Sequence, residues 1–206
     1  MDIFSDKNTL ELLTVASEYC AFVEKAGKFS KKDFIGKLQK ILSLVYLKTS
    51  LIASEEPVDF EGETEAFLSE YEYEYIKRNV SAKLSSADCY IGVFQGSDAG
   101  EEVEQAELSS CIADVYHNLK NFVENFRTFS EENAAASRAE LISDFKEYWG
   151  YRLLAALQAL HYFAYSVDLK EDDNDDDEPS DTAQDDSQSS SKSFYNSFVE
   201  NYHKKI

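Results

Sequence analysis

The stretch from Asp144 through Trp149 to Val167 limits what this chain can fold into more than any other. It carries the sole tryptophan, and from Leu153 to Val167 apolar residues fall almost all the way round a helical wheel. A helix that is apolar on every face has to be surrounded, so this stretch reads as the central staff of a helical bundle. At about 100° per residue, Leu141, Phe145, Trp149, Leu153, Ala156, Leu160, Phe163 and Val167 share one side. Opposite them run Glu147, Tyr151, Leu154, Gln158, His161 and Tyr165, a semi-polar stripe.

The remaining chain supplies partners for such a staff. Only two prolines and seven glycines punctuate 206 residues, and strong helix formers are plentiful, which is an all-α composition. Helix one is expected from about Asn8 to Ala26, with Leu12, Ala16, Tyr19 and Val23 on one face and Gly27 past its end. Ser30 and Asp33 resemble a short capping box that opens helix two through Phe34, Leu38, Leu42, Val45 and Ile52. Tyr71 to Tyr75 alternates like a strand, yet Phe67, Tyr71 and Tyr75 continue at helical spacing into Ile76, Val80 and Leu84, so a third helix is expected. Ser85 to Gly100 reads as the main irregular segment, with Glu101, Glu102 and Glu104 suited to the N-terminus of the next helix, which carries Leu108, Ile112, Val115, Leu119, Phe122, Val123 and Phe126. The final core helix begins at Glu131 or after Ser137. The expectation is an all-α bundle of about five core helices over residues 1–167.

From Asp168 the composition changes. Eleven carboxylates set against Lys170 alone, up to Asp186, account for half the net charge and lead into a Ser/Gln-rich run. Residues 168–191 therefore read as a disordered acidic linker. Beyond it, Phe194, Phe198 and Tyr202 repeat at helical spacing beside Tyr195 and Val199, with Lys192, Lys204 and Lys205 against Glu200. Residues 192–206 read as a short, faintly basic amphipathic helix, which either docks in cis on the acidic body or completes the fold.

Charge narrows the partners. Lys plus Arg number 20 against 40 for Asp plus Glu, a net charge of −20. That balance argues against nucleic acid, whose binding needs clustered cations, and against anionic membrane surfaces. Basic or amphipathic protein segments and cations remain. Nine carboxylates between Glu55 and Glu74, with no basic residue among them, form either a solvated face or such a partner's surface. The N-terminus lacks the basic and apolar regions of a signal peptide, and the longest apolar stretches fall short of the roughly 20 residues that span a bilayer. A cytoplasmic protein is expected. Three cysteines without a CxxC suggest neither a disulfide framework nor a zinc site; Cys20 and Cys111 fall on apolar faces, and Cys89 lies in the irregular segment.

No motif names a reaction, and nothing requires a cofactor. Gly92, Gly96 and Gly100 form neither a dinucleotide fingerprint nor a phosphate loop. The Asp172 to Glu178 run has carboxylates in the manner of a calcium loop but places Pro179 where a glycine turn is needed. Asp114 and His117 stand at i and i+3, as in one half of a di-iron motif, without the second half. Gln158, His161 and Tyr165 are the other candidates, as a ligand pocket or as polar residues satisfied by neighbours. Mimicry of DNA by the acidic surface rests on charge alone. The first expectation is thus a non-enzymatic interaction protein using an acidic helical surface or groove, and the alternative is a small-molecule- or metal-binding bundle with its site near Gln158 and His161.

Several strings carry a resemblance: Val15 to Glu24, the segment Asp88-Cys89-Tyr90 with Val93-Phe94, Ala113 to Val123, and Phe145-Lys146-Glu147-Tyr148-Trp149-Gly150 leading to Ala159-Leu160-His161. Together they resemble an uncharacterised family of bacterial all-helical proteins defined only as a domain of unknown function, over roughly residues 8–163. The resemblance implies a helical bundle in a bacterial cytoplasm and brings no assigned activity or catalytic residues.

Overall fold

The structure, a computed structural model, describes residues 3–53, 64–96 and 100–165. The expected acidic linker and the terminal helix, with Phe194, Tyr195, Phe198, Val199 and Tyr202, lie outside the described residues, as does Val167. Among the described residues, six α-helices form an all-α bundle: α1 (Lys7–Glu24), α2 (Lys31–Ala53), α3 (Glu70–Leu84), α4 (Leu108–Arg127), α5 (Glu131–Asp144) and α6 (Gly150–Tyr165). A π-helical turn, Phe145–Trp149, joins α5 to α6 without a break, so the last two form one rod.

Local chemistry sets the helix starts. Asp6 accepts the Thr9 backbone N–H at 3.0 Å, and Ser30 accepts that of Asp33 at 3.1 Å. Ser69 and Glu72 close a reciprocal capping box on α3. α4 is capped from a distance: the Asp88 carboxylate takes the Ser109 backbone N–H at 2.6 Å and the Ser109 hydroxyl at 2.9 Å. Between Asp88 and α4 the chain makes an antiparallel hairpin, β1 (Cys89–Gly96) with β2 (Gly100–Glu107), in register from Cys89 opposite Glu107 to Gly96 opposite Gly100. The segment expected to be irregular is therefore a hairpin, and Glu101, Glu102 and Glu104 stand in a strand rather than at a helix start. Tyr90, Ile91, Val93 and Phe94 carry the aromatic and β-branched bias that signals this, broken by Gly92.

The central element is α4, not the final helix. Thirteen of the 20 residues of α4 are buried, against five of 16 in α6. α4 packs on α1, α3, α5 and α6, while α2 closes the far side against α1 and α6. Tyr19, fully buried on α1, donates its hydroxyl to the Ile112 carbonyl of α4 at 2.8 Å. The expected seam on the final rod holds for Leu141, Phe145, Trp149, Leu153, Ala156 and Leu160, all buried, and Phe163 is only partly covered. Its reverse side faces water: Tyr151 is 67% and Tyr165 69% exposed. Apolar content all round a helix overstated its burial because tyrosine keeps a wet hydroxyl and isolated leucines are tolerated at surfaces. Tyr71 and Tyr75 are likewise exposed, and α3 buries Ile76, Val80 and Leu84.

The π turn explains the four-residue spacing of Leu141, Phe145, Trp149 and Leu153. Such spacing drifts round an α-helix, whereas i→i+5 bonding winds extra residues into the turn and keeps all four on one face. The Gly150 N–H donates to the Phe145 carbonyl, five residues back. The Trp149 indole N–H donates to the Leu141 carbonyl at 3.0 Å, which satisfies its one polar atom inside the core.

Gly150 is required by this turn. A Cβ there would lie 2.3 Å from the Phe145 carbonyl oxygen and 3.1 Å from its ring, whereas Gly36, mid-way through the first half of α2, has nothing within 4 Å of that position. Gly150→Ala should therefore lower stability by about 1–3 kcal/mol through overpacking, and Gly36→Ala should raise it by about 0.5–1 kcal/mol through helix propensity. Denaturant midpoints measured in parallel check both signs.

Candidate functional site

Polar residues recur along one face of the buried α4: Asp114, His117, Asn118, Asn121 and Asn125. Spaced by three and four, they form a stripe on the element least exposed to water. Each must find partners, because an unpaired buried polar group costs about 1–3 kcal/mol.

Asp114, 8% exposed, gathers three helices. Its carboxylate accepts the Tyr73 hydroxyl from α3 at 2.7 Å and pairs with the Arg152 guanidinium of α6 at 2.7 Å. Tyr148 of the π turn also leans on this carboxylate; burial first, and the Asp114 charge next, push its phenol above the usual range, and the same causes act on Tyr73. Asp114 is therefore fully engaged as a structural acceptor.

Further along, Asn121 and Asn125 hold the segment 64–68, which is neither helix nor strand and is here termed the strap. The Phe67 and Leu68 backbone N–H groups both donate to Asn121 Oδ1, at 3.0 and 3.1 Å. Asn125, fully buried, receives the Glu65 N–H at 3.4 Å and returns its own amide to the Glu65 carbonyl at 3.0 Å. Because Asn121 Oδ1 is an acceptor, its nitrogen is the donor to His117 Nε2, 3.1 Å away. That places the proton of a neutral His117 on Nδ1. The Tyr73 ring meets His117 edge-on, 6.3 Å between centroids.

Strap, α4 and α5 enclose a pocket of about 150 Å³. Its acidic lining residues are Glu65 and Glu140, both exposed, and the half-buried Asp144; His117, Asn118, Asn121, Asn125 and Ser137 are its other polar ones, and among the described residues no lysine or arginine lines it. Thr64 bridges strap and α5 by a hydrogen bond to the Glu140 carboxylate. Burial first, then repulsion from Glu140 and Glu147, holds the Asp144 carboxyl above the usual aspartate range, with His117 pulling the other way.

The candidates from sequence fare differently. Asp114 and His117 do share a face, but Asp114 is taken by Arg152 and Tyr73, and only His117 lines the pocket. Gln158, His161 and Tyr165 sit on the exposed side of α6, where His161 Nδ1 lies 3.3 Å from the Gln39 amide of α2 and its ring 4.8 Å from that of Tyr165. Among the described residues no helix buries them. Among the described residues, no group of three or more His, Cys, Asp or Glu side chains is placed to hold a metal ion, and no helix is long and apolar enough to cross a membrane. Cys20 and Cys111 are buried and Cys89 is exposed, as their positions implied. Sequence reasoning missed Asn121, Asn125, Glu140 and Asp144; the one available signal was asparagine recurring on an otherwise apolar helix face.

Two measurements test this geometry. Asp114→Ala should cost about 2–4 kcal/mol by stranding the Arg152 guanidinium and two phenols. In a double-mutant cycle, Asp114→Leu with Arg152→Met should lose less than the two single changes summed; additive losses would show the pair to be uncoupled. Asp144→Asn should stabilise the fold at neutral pH. The native carboxyl keeps its proton to higher pH than the unfolded one, so ionisation above the aspartate range, about 3.9 when unperturbed, penalises folding, and the gain from the amide should vanish as pH falls below that value.

Among curated proteins none matches the chain. The fold is similar to the crystal structure of protein BF1032 from Bacteroides fragilis, with a TM-score of 0.70 and 30% identity, covering 82% of this chain and 99% of that one. A family model described as a domain of unknown function, DUF5063, matches residues 4–166, which takes in every described helix and slightly exceeds the span of the resemblance read from sequence. The chain belongs to this family.

Proposed function

We propose that the chain is a non-enzymatic protein-interaction module that takes a basic side chain of a partner segment into the pocket between the strap, α4 and α5. One observation carries this reading: Glu65, Glu140 and Asp144 line one pocket, and among the described residues no lysine or arginine lines it with them. A lysine or arginine entering there would offset the repulsion between Asp144 and Glu140 and could form charge-assisted hydrogen bonds with both, Asp144 being half-buried and Glu140 exposed.

Size supports the same occupant. About 150 Å³ accommodates the end of a long side chain, whereas pockets for drug-sized ligands run to about 300 Å³ or more. The acidic surface elsewhere would steer a basic partner towards this point without selecting the point itself.

The reading is tested by titrating oligoarginine and oligolysine peptides into the full chain at moderate salt. Glu140→Gln and Asp144→Asn should each weaken binding severalfold, while Glu18→Gln, exposed on α1, should leave it unchanged. Equal effects of all three would reduce the interaction to diffuse attraction by net charge and remove the pocket from it.

A further inference from the structure

The strap is fastened by its backbone. Glu65, Ala66 and Phe67 leave their side chains exposed, and Thr64 and Leu68 are only partly covered. What holds it is a set of main-chain groups: the N–H of Phe67 and of Leu68 on Asn121, and both the N–H and the carbonyl of Glu65 on Asn125. A carboxamide presents a donor and an acceptor side by side, as a neighbouring peptide group does in a sheet, so Asn125 pairs with an extended residue whatever its side chain. These bonds read conformation rather than sequence.

The strap is also a poor electrostatic match for its place. It adds an acidic residue, Glu65, to a lining that already holds Glu140 and Asp144, and it brings that lining no cation. Its attachment to α5 is the Thr64 hydrogen bond to Glu140. At the other end, the Ser69–Glu72 capping box fixes the start of α3, so release of the strap can stop there without unwinding the helix. A segment with exposed side chains, held by side-chain-to-backbone bonds, belongs to the least stable part of a fold.

We propose that strap residues 64–67 occupy, in cis, a backbone-reading groove built on Asn121 and Asn125, and that an extended basic peptide replaces them there. This rests on the reading of the acidic pocket given above and adds the mode of binding. The partner's main chain takes over the bonds to the two asparagines one for one. Its cationic side chain lies beside Glu140 and Asp144, where the strap supplies no cation. Asn118, one turn from Asn121 on the same stripe, extends the row of amides towards His117.

The test uses the full chain and an oligoarginine peptide. Phe67→Pro removes one N–H from the strap while leaving the groove intact; it should tighten peptide binding severalfold, and Phe67→Ala, which keeps the N–H, should not. In the wild type, peptide addition should speed amide hydrogen exchange at Phe67 and Leu68. Asn121→Ala should weaken binding even though it also frees the strap. If the peptide binds with Phe67 and Leu68 equally or better protected, and Phe67→Pro binds no more tightly, the strap is a fixed wall: the displacement idea is overturned and the acidic pocket stands. If neither the wild type nor Phe67→Pro binds the peptide, both are overturned.

Discussion

Burial of α4 on nearly every side is the constraint from which the rest follows. A helix in that position cannot leave its polar side chains to water, so its stripe of Asp114, His117, Asn118, Asn121 and Asn125 must be paired by whatever packs against it. Asp114 thereby fixes α3 through Tyr73 and α6 through Arg152. Asn121 and Asn125 fix the strap. The apolar residues of α4 explain why the helices gather, and its polar residues explain why they gather in one arrangement. A purely apolar surface there would leave the rotation of α3 and the path of residues 64–68 far less determined.

The π turn serves the same arrangement from the other side. It keeps Phe145 and Trp149 in the core while placing Asp144 at the pocket and Tyr148 near Asp114. Gly150 makes the turn sterically possible. Turns of this type recur at functional sites because they re-aim side chains without breaking a helix. Here the re-aimed groups are a carboxylate held against like charges and a half-exposed tyrosine. Retaining mutually repelling acids in a partly buried pocket costs stability, and a cationic occupant would offset that cost.

The sequence made the bundle legible and hid the site, for separable reasons. Leucine and phenylalanine at three- and four-residue spacing announce helices wherever they are packed, so α1, α2, α3 and α4 were readable from Leu12, Phe34, Ile76 and Leu119 and their repeats. The capping signal at Ser30 placed the start of α2, while the Ser69–Glu72 box on α3 emerged only in the structure. The hairpin was obscured because β2 is rich in glutamate, a poor strand former, and because its cap, Asp88, lies 21 residues before the Ser109 it binds. The wheel found the buried seam of α6 but left open whether its reverse stripe is covered, since periodicity reports which face is most apolar and not how many neighbours arrive.

Local periodicity, helix propensity and composition by themselves determined an all-α bundle, its helical phases and its strong negative charge, and the resemblance of particular strings indicated its family. Only tertiary structure decided which helix is central and which acids meet. Glu65, Glu140 and Asp144 are up to 79 residues apart in the chain, and their meeting depends on α3, α4 and α5 packing in one register. That register is set by long-range hydrogen bonds from Asp114, Asn121 and Asn125, whose geometry no local pattern encodes, because each is satisfied by a residue at least 38 positions away.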